Sequence, residues 1–166
     1  MPKFLHQRHQ SPTPLDRQRE LVVVLPPMRS RVNLSRVVRA AGCFGVQRVI
    51  ACGNPKLDTT ISRDANEIVV VEARRSLEPV LESLRSDGYV LVGLEQATGS
   101  QVLFEFQFAR RTALVAGSER EGIADEILQM LDAVVEIPIY GLPHSHNAAT
   151  ATIIATYEYC RQFPSG

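Results

Sequence analysis

The chain has 166 residues, of which 45% are hydrophobic and 22% charged, with 10 Gly, 10 Pro, 3 Cys and no Trp. That composition excludes collagen-like, disordered and disulfide-framework classes, and a length near that of one domain lets the chain bury roughly 70% of its unfolded surface. The net charge of zero is uneven, because residues 1–50 hold nine Lys or Arg against two Asp or Glu and residues 51–166 hold nine against sixteen, so the first part is an anion-facing candidate.

In chain order, residues 1–20 are polar, with Pro12 and Pro14 and no sustained periodicity. They read as a basic arm that a partner orders, and residues 21–166 read as one domain. Short apolar or β-branched runs then alternate with helical periods. The expected strands are Leu21–Leu25, Arg48–Cys52, Ile68–Glu72, Tyr89–Leu94, Ala113–Ala116 and Val134–Ile139. The expected helices are Asn33–Phe44, Thr60–Ala65, Leu77–Ser86, Ala124–Leu131 and Asn147–Gln162. Strands apolar on both faces, alternating with helices, predict an α/β fold with a largely parallel sheet and helices on both faces. The longest apolar runs are far shorter than the roughly 18 residues of a membrane span, and no apolar segment of signal-peptide length follows Lys3 and Arg8. Cys43, Cys52 and Cys160 form no CxxC pair and lie among apolar neighbours; they read as reduced core residues of a cytoplasmic protein.

Three segments carry chemistry. On the helix from Asn33, residues Leu34, Val37, Val38 and Ala41 share one face, Arg36 and Arg39 project on the other, and Asn33 occupies the place of an N-cap. Its plain reading is a capped amphipathic helix with solvated arginines. The second segment, Leu114 to Ile123, runs from a buried strand through a turn with Gly117 and Gly122, where backbone N–H groups can approach a ligand. The third, Ile137 to Asn147, joins the last strand to the last helix through Gly, Pro and small polar residues, and Ser145 or Asn147 can cap that helix.

Together the three segments resemble the SpoU/TrmH family of S-adenosylmethionine-dependent RNA ribose 2′-O-methyltransferases, in the SPOUT superfamily. The first family motif matches Asn33 through Arg39, with Phe44-Gly45-Val46 beyond it; the second, G-x-E-x-x-G, matches Gly117, Glu119 and Gly122; the third matches Ile137, Pro138, Gly141, Ser145 and Asn147. Ile139, His146 and Ala148-Ala149 depart from the family pattern. The resemblance implies a deep C-terminal trefoil knot whose loops hold S-adenosylmethionine. It implies cofactor contacts at Leu94, Glu95, Gln96, Gly117, Gly122, Ile137, Ile139, Ser145 and His146. It selects Arg39 for catalysis, gripping the target phosphate or handling the hydroxyl proton, with Asn33, Glu119, Ser145 and Asn147 holding the guanidinium and the ribose. It also implies a homodimer in which the last helix packs against the partner subunit.

The expected partner is RNA, tRNA before rRNA. Arg8, Arg17, Arg19, Arg29, Arg31 and Arg36 supply positive charge without matching acidic neighbours in sequence. No metal is expected, since His144 and His146 lack accompanying ligands. A dinucleotide-binding domain would need G-x-G-x-x-G after the first strand, where Leu25-Pro26-Pro27-Met28 stands instead. A non-catalytic RNA-binding relative of the same fold stays open, because His146 and Ala149 depart from the motif.

Overall fold

Five consecutive apolar residues form the first strand, β1 (Leu21–Leu25), and all five are buried. Alternate side chains of a strand face opposite ways. Leu21, Val23 and Leu25 therefore join one core layer with Leu34, Val37 and Val38, while Val22 and Val24 join another with Val80, Leu81 and Leu84. The computed structural model describes residues 3–7 and 10–166. After β1 come α1 (Arg31–Cys43), β2 (Arg48–Cys52), α2 (Thr59–Ser62), α3 (Ala65–Ile68), β3 (Val70–Arg74) and α4 (Leu77–Ser86). They are followed by β4 (Val90–Leu94), β5 (Gln101–Val102), β6 (Thr112–Ala116), α5 (Asp125–Leu128), β7 (Ala133–Glu136) and α6 (Ala148–Gln162).

The strands form one seven-stranded sheet in the order β3-β2-β1-β6-β4-β7-β5, and every neighbouring pair is parallel. Helices α1 and α6 cover one face, and α4 and α5 the other. The α/β architecture expected from the alternating pattern is therefore the observed one. Its order matters for the site: the chain lays down β4 on the far side of β1, then returns to insert β6 between them and β7 between β4 and β5. Leu94 pairs in register with both Ala116 and Val135, so β4, β6 and β7 end level with one another.

Several boundaries differ from the sequence expectation. Asn33 is not the cap of α1: Ser30 is, its hydroxyl accepting the Asn33 N–H at 3.2 Å, and Asn33 itself is buried in the first turn. The helix expected over 60–65 is two short helices, interrupted by Arg63 at a φ of +50°. Ile68 ends α3 rather than opening a strand, and β3 starts at Val70 on the edge of the sheet, where only one neighbour fixes its register. The last strand stops at Glu136, ahead of Pro138, which has no N–H to give a ladder. Strand β5 has two residues, too few to carry a period. Cys52 and Cys160 are buried as expected, but Cys43 is exposed, because α1 turns it away from the face made by Leu34, Val37, Val38 and Ala41.

Residues 16–19, just before β1, lie against the end of the chain. The Asp16 N–H donates to the Ser165 carbonyl at 2.9 Å. Arg19 is buried, and its guanidinium donates to the carbonyls of Phe44 (2.7 Å) and Phe163. An arginine buried this way holds two segments together and offers no charge to a ligand.

Candidate active site

Where β4, β6 and β7 end, the segments that leave them surround a cleft of about 340 Å³. Leu94, Glu95 and Gln96 contribute from β4, Gly117 and Gly122 from the turn after β6, and Ile137, Ile139, Ser145 and His146 from the segment after β7. All nine positions singled out for cofactor contact thus line one space, although they span three separate stretches of sequence. The carboxyl ends of strands beside a reversal of strand order are the usual ligand site of an open parallel sheet.

The turn from Gly117 to Gly122 is built around one carboxylate. Glu95 accepts the Ile123 N–H through Oε2 and the Gln96 N–H through Oε1, both at 2.9 Å. Gly122, at a φ of +66°, lies so close that a Cβ there would strike Glu95 Oε2, and a Cβ on Gly117 would come within 2.8 Å of the Gly122 Cα. Two glycines are needed because the backbone must fold onto the carboxylate and onto itself. Ser118 and Gly122 close the loop with paired backbone hydrogen bonds of 2.9 and 3.3 Å.

That loop aims Glu119 at the first turn of α1. Its carboxylate accepts the backbone N–H groups of Arg29 and Ser30 and the side-chain amide of Asn33, each at 3.2 Å. Burial pushes the Glu119 carboxyl up, but the donors of Ser30, Arg29 and Asn33 outweigh it and hold the group below the ordinary glutamate range. The Asn33 amide oxygen in turn accepts the Asn147 side-chain N–H at 3.3 Å. Asn147 caps α6, accepting the N–H groups of Ala149 and Thr150 at 3.0 and 3.1 Å. One polar chain, Glu119–Asn33–Asn147, therefore ties together the three segments that the sequence singled out.

Of the five catalytic candidates, Asn33, Glu119 and Asn147 form this chain and Ser145 lines the cleft. Arg39 stands apart. It is exposed on α1, its guanidinium reaching the Ile61 carbonyl at 3.5 Å, and it does not line the cleft of its own chain. Among the arginines proposed for RNA, Arg17, Arg29, Arg31 and Arg36 are exposed, but Arg31 has an acidic neighbour after all, Asp58 at 3.8 Å. Arg19 is withdrawn into the core, and Arg8 lies outside the described residues. The cleft also includes Arg120, Glu121, Glu136 and Thr152, which the sequence reading missed. Arg120 and Glu121 lie inside the G-x-E-x-x-G segment and Glu136 directly precedes Ile137, so position alone could have raised those three. Among the described residues no group of His, Cys, Asp and Glu is arranged to hold a metal ion, and no helix is long and apolar enough to cross a membrane.

The model of the SpoU rRNA methylase family matches residues 20–157. The chain belongs to the SpoU methylase family. Relatives within it include the mouse tRNA (guanosine(18)-2′-O)-methyltransferase TARBP1, 31% identical over 148 residues, which cover 86% of this chain and 9% of the mouse protein. The tRNA (guanosine(18)-2′-O)-methyltransferase of Aquifex aeolicus is 29% identical over 150 residues, covering 88% of this chain and 71% of that one. Among solved SpoU structures, the A. aeolicus TrmH/SpoU tRNA modifying enzyme superposes with a TM-score of 0.84 at 27% identity, covering 90% of this chain and 78% of the other. The Streptomyces viridochromogenes SpoU methyltransferase AviRb in complex with the cofactor AdoMet gives 0.72 at 26% identity, with coverage of 90% and 60%. A structure described as giving insight into 2-OH methylation of C/U34 on tRNA gives 0.76 at 27% identity, covering 88% of this chain and 97% of that one.

Proposed function

We propose that this SpoU family member transfers a methyl group from S-adenosylmethionine to a ribose 2′-hydroxyl of tRNA. The observation that carries the reading is the single cleft into which all nine expected contact positions converge. Its volume falls in the range of small-molecule sites, and Glu95, Glu121 and Glu136 line it, which suits a ligand carrying a sulfonium and an ammonium. The close backbone approach at Gly117 and Gly122 leaves the cleft wall without side chains at those positions. The deep trefoil knot implied by the family accords with β6 and β7 entering between strands already placed.

When bound, the cofactor supplies a methyl group made electrophilic by its sulfonium. The residues of this chain have three tasks. The loops after β4, β6 and β7 orient the ligand, which supplies the proximity that such a transfer needs. The Glu119–Asn33–Asn147 chain fixes the start of α1 against the start of α6. Arg39 grips the target phosphate and stabilises the charge that develops on the 2′-oxygen as its proton leaves; a guanidinium has a pKa above about 12 and is a poor free base.

Arg39 does not line the cleft of its own chain, so the role assigned to it requires that it serve the partner's cleft in a homodimer. Tyr157 and Ile154 of α6 are 58% and 36% exposed, and Tyr140 and Leu142 of the neighbouring loop are 89% and 81% exposed, an apolar surface suited to such an interface. Light scattering with Tyr157→Glu tests it: the wild type is a dimer at micromolar concentration and the variant a monomer.

The working location is the cytoplasm, where the buried thiols stay reduced. The relatives named above favour guanosine 18 as the target. The structure concerned with C/U34, whose length this chain nearly matches, favours position 34 as a second reading. Mapping ribose methylation in total tRNA and rRNA by mass spectrometry, with and without the protein, decides between them. Unchanged methylation at every site, with no heat of S-adenosylhomocysteine binding, would leave the non-catalytic RNA-binding reading.

A further inference from the structure

A second cleft, of about 350 Å³, shares the Ser118–Gly122 loop with the first. Its apolar lining comes from Pro26 and Pro27 after β1, Leu77 of α4, Ile123 ahead of α5 and Ile127 within it. Three arginines open onto it, Arg29, Arg75 and Arg120, and each belongs to a different segment, so the fold assembles them. All three are exposed, and none of their guanidinium groups has a carboxylate within 4.0 Å among the described residues, whereas those of Arg48, Arg74, Arg85 and Arg161 each do. The acidic residues of the cleft leave this charge standing. Glu119 is taken up by three N–H donors, and neither Glu78 nor Glu121 forms an ion pair with any of the three arginines.

We infer that this second cleft binds the phosphodiester backbone of the RNA next to the nucleotide whose ribose meets the cofactor at the first cleft. The inference rests on the RNA methyltransferase reading and adds to it the place where the strand is gripped. Guanidinium groups present paired donors that match phosphate oxygens, and a floor of Pro and Ile side chains gives a ribose or base face an apolar surface. Arg120 lines both clefts, so a strand held in the second reaches the edge of the first. Ser76, at the start of α4, also lines the second cleft and makes no side-chain cap to its helix, which leaves further donors in the same quarter. Contacts of this kind fix register along the nucleic acid without reading its bases.

The test uses the full chain and two variants, Arg75→Ala and the double variant Arg29→Ala with Arg75→Ala. Neither position lines the first cleft. Affinity for a tRNA transcript is measured by fluorescence anisotropy across a salt series, and S-adenosylhomocysteine binding by calorimetry reports on the fold and the first cleft. Arg111→Ala, which removes an exposed arginine at the opposite end of β6, is the control. Each arginine removed should weaken tRNA binding roughly threefold to tenfold and lower the slope of log affinity against log salt by about one. S-adenosylhomocysteine affinity should stay at the wild-type value, and for Arg75→Ala the rate at saturating tRNA as well. If the wild type methylates tRNA while both variants keep its affinity and salt slope, the second cleft is not a backbone site although the enzymatic reading survives. If the wild type itself has no affinity for RNA, both readings fall.

Discussion

Glu119 Oε1 and Asn33 Nδ2 lie 3.2 Å apart although 86 residues separate them in sequence. The contact closes the turn after β6 onto the first turn of α1, and Asn147 extends it to α6. Glu119→Gln keeps one acceptor but sets an amide NH₂ against backbone N–H groups, leaving a donor unsatisfied. The expected loss is about 1–3 kcal/mol in urea denaturation, together with a fall in methyl transfer that exceeds any loss of S-adenosylhomocysteine affinity.

The same contact predicts a pH dependence. Because the folded-state pKa of Glu119 is depressed, its contribution to stability is fully present above the unfolded value of about 4.3 and is lost as pH falls through the folded value. Glu72, held low by the Arg48 guanidinium, acts in the same direction. Stability should be flat from neutral pH to about 5 and decline below about 4. The difference between wild type and Glu119→Gln should shrink over that acid limb, and a difference as large at pH 3 as at pH 7 would contradict the assignment.

Gly122→Ala asks for a side chain where φ is +66° and Glu95 already stands. The strained backbone costs on the order of 1–3 kcal/mol, and the turn must shift. Calorimetry should show S-adenosylhomocysteine affinity lowered at least tenfold.

Arg39→Ala removes an exposed side chain with one long hydrogen bond, so its stability cost should stay within about 1 kcal/mol. Methyl transfer should fall by about 10²–10³. Arg36→Ala, exposed on the same helix, should change RNA affinity instead. Mixing Arg39→Ala subunits with subunits defective in the cleft at Gly122 should restore part of the activity if Arg39 serves the partner's cleft. Equal single-turnover rates for wild type and Arg39→Ala at saturating RNA would refute its catalytic role.

Arg19→Ala should behave in the opposite way to the surface arginines. Its guanidinium joins the Phe44 and Phe163 carbonyls, and removing it strips the Phe44 carbonyl of that donor and leaves Phe163 with the Gly166 N–H at 3.2 Å. A loss of about 1–3 kcal/mol in stability should appear in urea denaturation, with the salt dependence of RNA binding unchanged.

The residues that are apolar on both strand faces, Leu21 through Leu25 and Ala113 through Ala116, announced their place in the sheet, because nothing but burial on two sides tolerates that pattern. The cleft was legible for a related reason: its glycines, prolines and short polar side chains interrupt the periodicity at the strand ends. Asn33 shows what sequence could not supply. As a cap it would satisfy only its own helix, and what makes it part of the site is Glu119, a partner from a distant turn. Arg19 and Arg31 were misjudged in the same way, since their partners Phe163 and Asp58 are remote in the chain. Of the second cleft only Arg29 stood out in the sequence, because its three arginines belong to unconnected segments.

The sheet order also bears on synthesis. Strands β1, β2 and β3 neighbour one another and can pair as soon as they leave the ribosome, but β4 pairs only with β6 and β7, both made after it. Until Ala116 emerges, Leu91, Val92 and Leu94, which end up buried, wait without a sheet on either side, and the side that β7 covers stays open until Glu136 follows. Early pairing of sequential strands is followed by a late closure through long-range contacts, which are the slow ones to form. The nascent chain is thus most prone to aggregation between the synthesis of β4 and the closure of the sheet by β7, and that interval is where a chaperone would have most effect.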